Sequence, residues 1–179
     1  KNLPNVAVHD LVIQPTAKHL IVGTHGRSLY KANIAALQLL THEFAQKDLH
    51  IFDINSIRKR NSWGSSWSKW FEPYTPEINI PYYVNSDKKV IIDIYKNAES
   101  NSAQSVKVNS ISVDANRGFN KFLFDVSFSK KGLKDFEKVN KKDTETTSAP
   151  KKAKNGVYYL PKGKYMVKIG DAKSEFEIK

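Results

Sequence analysis

The chain has 179 residues, of which 40% are hydrophobic, enough for one domain or for one small domain with additional segments. Its longest apolar runs are only a few residues, so no segment is predicted to span a bilayer. It contains no cysteine, which excludes a disulfide framework, a thiol nucleophile and a cysteine-ligated zinc site. The first residue is a lysine and no apolar signal segment follows it, so we expect the chain to be part of a longer or processed polypeptide.

The net charge is +11, from 29 basic and 18 acidic residues. The excess is concentrated between Lys130 and Lys154, where nine lysines stand beside four acidic residues. This stretch includes residues 144–150, which carry few apolar side chains, and it predicts a solvated, mobile loop over residues 130–154. Only four arginines occur, although arginine is favoured for recognition of phosphates and bases. We therefore predict no nucleic-acid partner.

The first part of the chain predicts a small antiparallel sheet followed by a helix. Three short apolar runs bounded by turn residues predict strands over Val8–Ile13, His19–Thr24 and Arg27–Lys31. Three such strands cannot enclose a core without neighbours. Residues 34–44 follow, with Leu37, Leu40 and Phe44 at helical spacing, and predict a short amphipathic helix. Residues 49–53 predict one further strand.

From residue 78 onward, the pattern predicts β-strands throughout. About seven short strands in about 100 residues, with turns at regular intervals, predict a mostly β fold built on an antiparallel immunoglobulin-like or fibronectin-III-like sandwich. The predicted strands are Ile78–Val84, Lys89–Tyr95, Val106–Asp114, Asn120–Phe128, Gly156–Leu160, Tyr165–Ile169 and Ser174–Lys179. We therefore divide the chain into residues 1–34 (strands), 35–78 (helix and aromatic connector) and 79–179 (sandwich).

Three tryptophans in the connector form the one pattern that indicates a binding surface. Trp63, Trp67 and Trp70 have the i, i+4, i+7 spacing that would align them on a helix, and exposed tryptophan rings stack on sugars. Gly64 and the serines around it disfavour a helix, and large apolar side chains also hold neighbouring modules together. Packing between domains is thus the favoured interpretation and carbohydrate binding the alternative. Tyr74 would extend either surface.

No other pattern indicates a catalytic, cofactor or metal site. All five histidines lie in the first 50 residues without the spacing of metal ligands, so we predict neither metal nor cofactor. The carboxylates that could form a glycosidase pair are Asp93, Asp114 and Asp125. Strand alternation places Asp93 and Asp125 opposite the apolar face, which indicates solvated positions.

Residues 3–31 resemble the last repeat of BNR-type β-propellers, above all in the run Val-Gly-Thr-His-Gly-Arg-Ser-Leu-Tyr at 22–30. Such repeats occur in large bacterial proteins described as sortilin-like or glycosyl-hydrolase-like. In that family an immunoglobulin-like domain follows the propeller, and residues 90–95, 118–125 and 160–168 resemble it. The Asp-box of these repeats is absent here, and the catalytic acids of propeller glycosidases lie in earlier blades. The resemblance therefore transfers no catalytic residue to this chain.

The resemblance implies a non-catalytic C-terminal accessory module of a larger bacterial protein that is secreted, periplasmic or at the cell surface. Its implied partners are the upstream propeller and a polysaccharide or protein. Open strand edges and residues such as Val12, Ile21 and Leu29 predict that the first strands pack on the sandwich or on a second copy. The alternatives are a carbohydrate-binding module that uses the tryptophans, or a fragment of a glycoside hydrolase with its catalytic residues upstream.

Overall fold

The computed structural model describes residues 3–41, 44, 46–97, 105–140 and 150–179. The predictions for residues 42 and 43 of the helix and 141–149 of the lysine-rich segment lie outside these described residues. The chain forms two compact units, Lys1–Gln46 and Lys47–Lys179. The second unit begins well before residue 79 because the residues of the connector contribute a strand and an edge segment to the sandwich.

The first unit is a three-stranded antiparallel meander, as predicted. Its strands are β1 (Val8–Gln14), β2 (His19–Thr24) and β3 (Leu29–Asn33), in that order across the sheet. The helix α1 covers only Ala35–Gln38, much less than the predicted 34–44. It is short because the turn tightens after it: the Leu39 and Leu40 N–H groups donate to carbonyl oxygens three residues back.

The second unit is an antiparallel β-sandwich, which confirms the predicted fold class. Its strands are β4 (Leu49–Ile51), β5 (Ile78–Val84), β6 (Lys88–Lys96), β7 (Val106–Ala115), β8 (Gly118–Phe124), β9 (Gly163–Ile169) and β10 (Ala172–Ile178). One sheet has the order β4-β5-β8 and the other the order β10-β9-β6-β7. β7 is the fourth strand of the sandwich in chain order, and it pairs with β6 in the larger sheet. This pairing is the fibronectin-III-like variant of the immunoglobulin-like sandwich.

The core lies between these two sheets because alternate side chains of each strand point inward. The larger sheet contributes Ile92, Ile94 and Val167 and the smaller sheet contributes Ile80 and Phe124, all essentially inaccessible to solvent. The interior is therefore made of branched aliphatic and aromatic residues, as the alternation along β6 predicts.

Each edge of the four-stranded sheet is covered over part of its length. Along β10, the Ile57 N–H donates to the Glu177 carbonyl oxygen (3.0 Å), and the Lys179 N–H donates to the Ile57 carbonyl oxygen (2.9 Å). Along β7, the Ser129 N–H donates to the Val108 carbonyl oxygen at 3.1 Å. These contacts use backbone groups that would otherwise be open to pairing with another chain.

The predicted loop after residue 129 is wrong in its first part, because Lys130–Asn140 forms the helix α2. The Ser129 hydroxyl oxygen accepts a hydrogen bond from the Gly132 N–H (2.9 Å) and so begins the helix. Phe136 is buried and its ring lies 5.1 Å from that of Phe128. The helix is rich in lysine, so its composition indicates a loop even though Phe136 packs against the sandwich.

Two strand predictions also need correction. The strand predicted over Asn120–Phe128 ends at Phe124, because Val126 adopts a left-handed backbone conformation (φ 59°) and breaks the alternation. The strand predicted over Gly156–Leu160 is reduced to isolated bridges from Tyr158 and Tyr159. Both segments still contribute buried side chains to the core.

Candidate functional site

Residues 65–74, here called the aromatic loop, form a projecting loop whose two ends are hydrogen-bonded together. The Gly64 N–H donates to the Tyr74 carbonyl oxygen at 2.8 Å, and the Tyr74 N–H donates to the Ser65 carbonyl oxygen at 3.0 Å. Within the loop, the Phe71 N–H donates to the Ser68 carbonyl oxygen at 3.1 Å. The loop contains no helix, so the tryptophans do not share a helical face.

The base of the loop is fixed to the sandwich. Trp63 is 5% exposed and meets the Tyr159 ring edge to face, with the ring centroids 5.8 Å apart. The Asn155 N–H donates to the Gly64 carbonyl oxygen at 3.0 Å. A Cβ atom on Gly64 would lie 2.5 Å from the Asn155 side chain and 2.6 Å from Ala153 Cβ, so only glycine fits there. The loop therefore projects from a rigid support.

The loop presents its aromatic side chains to solvent. Trp67 is 95% exposed, Trp70 83%, Phe71 63% and Tyr74 49%. Lys69 Nζ lies 5.0 Å from the centroid of the Trp70 ring, within the range of a cation–π contact. Clustered exposed apolar side chains are typical of interaction sites.

The four predicted site residues thus divide into two groups. Trp63 is a core residue that supports the loop, whereas Trp67, Trp70 and Tyr74 lie on its exposed surface. Phe71 belongs to the same surface, and the i, i+4, i+7 spacing of the tryptophans does not include it. The sequence signal that could have identified it is its position next to Trp70.

The first unit carries a second exposed apolar surface. Leu11, Val12 and Ile13 are consecutive in β1 and all exposed, as is Leu29 in β3. Consecutive strand residues point to opposite faces of a sheet, so β1 is open to solvent on both faces. Within the described part of this unit, Ile34 is the one buried hydrophobic side chain.

The candidate carboxylates do not form a catalytic pair. Asp93 lies in β6, and its oxygens accept hydrogen bonds from Lys107 Nζ (2.8 Å) and the Ser110 hydroxyl (2.6 Å). Partial burial tends to raise the pKa of the Asp93 carboxyl, but the hydrogen bonds from Lys107 and Ser110 outweigh it and hold this pKa below its usual value. A carboxylate held in its charged form by a lysine is unsuited to act as a general acid.

The other two carboxylates have local roles. Asp114 is exposed and lies 3.8 Å from Lys89 Nζ. Asp125 follows β8 in the opposite sheet from Asp93 and accepts a hydrogen bond from the Ser127 hydroxyl at 2.7 Å. It lines a groove of about 330 Å³ between β7 and β8, whose remaining lining includes no second carboxylate and no histidine. The groove therefore offers no acid–base pair.

The described ranges contain neither a cluster of metal-ligating side chains nor a helix suited to span a membrane. No group of three or more histidine, cysteine, aspartate or glutamate residues there is placed to hold a metal ion. His9 and His25 stack on each other with ring centroids 4.9 Å apart. Among the helices that the structure describes, none has the length and apolar character needed to cross a membrane.

Comparison with known proteins does not identify a family. No protein-family model matches the sequence. No curated protein matches it. One similar solved structure is a β-glucosidase from Erythrobacter marinus, with a TM-score of 0.31 and 6% sequence identity; the match covers 73% of this chain. The chain spans 15% of the length of that enzyme. A likeness this weak carries no argument about fold or activity.

Proposed function

We propose that the chain is a non-catalytic accessory module of a larger secreted or cell-surface protein, in which the first unit completes a β-propeller and the sandwich serves as a support and interaction domain. One observation carries this proposal: Leu11, Val12 and Ile13 are exposed on both faces of β1. A sheet with two uncovered apolar faces is stable only when other structure covers it.

A propeller blade would provide that environment. Blades are small antiparallel sheets of about four strands that pack face to face around a central channel. A meander with apolar residues on both faces is suited to a position between two neighbouring blades. The resemblance of residues 22–30 to the last BNR repeat supports the same arrangement, and it also supports a location outside the cytoplasm.

The proposal is tested by hydrogen exchange of the β1 amides in this chain and in the natural polypeptide isolated from its source. We expect the natural polypeptide to be longer and its β1 amides to exchange at least about tenfold more slowly, because neighbouring sheets cover them. A natural polypeptide no longer than this chain would contradict the proposal. Equally fast exchange in both proteins would also contradict it.

The surroundings of the candidate carboxylates support a non-catalytic role. Asp93 is engaged by Lys107, and Asp125 faces a groove that lacks a second carboxylate. We expect no turnover of polysaccharides by the purified chain. Glycoside hydrolysis that is lost in Asp93→Asn or Asp125→Asn, with folding retained, would establish the enzyme alternative instead.

A ligand-binding role for the tryptophans is the second candidate, and the exposure of Trp67 and Trp70 favours it over packing between domains. Trp63 is excluded from such a surface by its burial. Binding of the chain on a glycan array, abolished by Trp67→Ala, would assign the loop to carbohydrate.

A further inference from the structure

We propose that the aromatic loop docks the protein on an anionic phospholipid surface, with Trp67, Trp70 and Phe71 inserted into the interface between head groups and acyl chains. This inference concerns the sandwich alone and does not depend on the propeller assignment of the first unit.

The architecture of the loop favours a bilayer over a sugar. Its ends are hydrogen-bonded together at Gly64, Ser65 and Tyr74, and the most exposed side chains between them are Trp67 and Trp70. Small-molecule sites are concave and carry convergent polar groups, whereas exposed aromatic side chains on a closed loop can enter a soft interface without a pocket.

The residue types match the membrane interface. Tryptophan is enriched at the level of the head groups, and phenylalanine contributes apolar area below it. Phe71 adds to the apolar area but has no polar group with which to bind a sugar hydroxyl. The remaining side chains between the two ends of the loop are small or polar, namely Ser66, Ser68, Lys69, Glu72 and Pro73.

The charge around the loop selects anionic lipids. Arg58 and Arg60 precede it, and Lys69 lies within it, all exposed. Lys152 and Lys154 are exposed on the segment that contacts Gly64 through Ala153 and Asn155. Against these five basic residues, the acidic residues of the same stretches, 58–77 and 152–154, are Glu72 and Glu77. Basic side chains close to inserted aromatic residues are attracted by the negative surface potential of anionic lipids.

The chain provides its own fluorescent probes for this insertion. It has three tryptophans, of which Trp63 is buried and the other two are exposed on the loop. Transfer of Trp67 and Trp70 from water into the interface would shift their emission to shorter wavelength. Trp63 is already shielded from water and would report only on whether the sandwich stays folded.

The test is titration of the full chain with phosphatidylcholine vesicles and with mixed phosphatidylcholine–phosphatidylglycerol vesicles, followed by tryptophan emission and co-sedimentation. We expect binding to the mixed vesicles with a blue shift, and binding at least about tenfold weaker to the neutral vesicles. High salt should weaken the binding to the mixed vesicles.

Two variants and a matched control locate the contact. We expect Trp67→Ser combined with Trp70→Ser to lose at least about tenfold in vesicle affinity measured by co-sedimentation, while Trp63 emission shows an intact fold. Lys152→Glu combined with Lys154→Glu should weaken binding to the mixed vesicles only. Ile91→Ser, at an exposed apolar residue on β6, should bind like the unmodified chain.

Failure to bind the mixed vesicles would overturn the proposal, as would binding without a blue shift, which would indicate charge attraction alone. Equal binding to both kinds of vesicle would overturn the selection of anionic lipid. A blue shift with a soluble β-glucan or chitooligosaccharide, and none with vesicles, would reassign the loop to carbohydrate. None of these outcomes bears on the β1 exchange experiment, so the two proposals fail separately.

Discussion

At the scale of single residues, the tryptophans show how one amino acid type serves opposite roles within eight positions. Trp63 is buried against Tyr159, whereas Trp67 is almost fully exposed. We expect Trp63→Ala to lower the free energy of unfolding by about 3–5 kcal/mol, because it leaves a cavity beneath the loop. Trp67→Ala should change it by less than about 0.5 kcal/mol. Urea denaturation of both variants gives the comparison, and similar losses in the two would contradict the assigned burial.

Asp93 gives a pH-dependent prediction. Its pKa is lowered in the folded protein, so the stability that it contributes is present above the ordinary carboxyl pKa of 3.8. That stability is lost as the pH falls through the lower folded-state value. Because Lys107 is partly exposed, we expect Asp93→Asn to destabilise the protein at pH 7 by about 1 kcal/mol or less.

Urea denaturation at neutral pH and at a pH well below 3.8 checks this prediction. The difference between Asp93→Asn and the unmodified chain should shrink towards zero in acid. Asp114→Asn is the matched control, since Asp114 lies 3.8 Å from Lys89 and both side chains are exposed. A larger effect from Asp114 than from Asp93 would refute the assignment.

At the scale of elements, α2 depends on one glycine. Gly132 lies in the first turn of this helix, and replacing a helical glycine by alanine ordinarily stabilises the helix by up to about 1 kcal/mol. At Gly132, however, the new Cβ would lie 1.9 Å from the carbonyl oxygen of Val108 in β7. We therefore expect Gly132→Ala to destabilise the sandwich by about 1–3 kcal/mol.

Chemical denaturation monitored by circular dichroism measures this effect. Lys134→Ala, at an exposed position in the same helix, should stay within about 0.5 kcal/mol of the unmodified chain. A stabilising Gly132→Ala would mean that α2 does not lie directly on the backbone of β7.

The edge of β10 allows a second prediction at this scale. Ile57→Pro removes the N–H group that bonds to Glu177 and should detach residues 57–59 from the strand. The uncovered edge is then free to pair with another chain, so we expect concentration-dependent aggregation. Light scattering across a concentration series measures this aggregation. Ile57→Ala is the control, because it shortens the side chain but keeps the N–H group.

The elements also show what the sequence can and cannot reveal. Strands β2 and β5 match their predictions at both ends, because turn residues bound them and apolar residues fill them. The helix α2 was missed because lysines outweigh the few apolar residues that pack, although Ser129 marks its start. The end of β8 was missed because no local pattern announces a valine with positive φ.

At the scale of the whole molecule, the two units differ in how much of their surface they bury. The second unit has a continuous core, whereas β1 is exposed throughout. We expect residues 47–179 to fold when expressed alone and to unfold in one cooperative transition. Residues 1–46 alone should show the narrow amide chemical-shift dispersion of an unfolded chain in a heteronuclear NMR spectrum. A well-dispersed spectrum of the small fragment would contradict the reasoning that leads to the proposed covering of β1.

The candidate site could be predicted only in part, because contacts between residues far apart in the sequence decide which tryptophan is buried. Spacing and residue type identified the tryptophans, but the division between a core Trp63 and an exposed Trp67 depends on contacts with Ala153, Asn155 and Tyr159, far away in the chain. Sequence patterns report local periodicity, and the helical spacing of these tryptophans does not correspond to a helix in the folded loop. Its base is formed only when the sandwich brings the two segments together.

The closed base of the aromatic loop has a consequence for protein engineering. Since Gly64 and Tyr74 hold the two ends together and Trp63 anchors them, the residues between could be exchanged for a foreign peptide with little strain on the sandwich. The cysteine-free scaffold would also allow a single thiol to be introduced there for labelling. The same geometry that presents aromatic rings to solvent thus makes the loop a suitable position for inserting and displaying a foreign peptide.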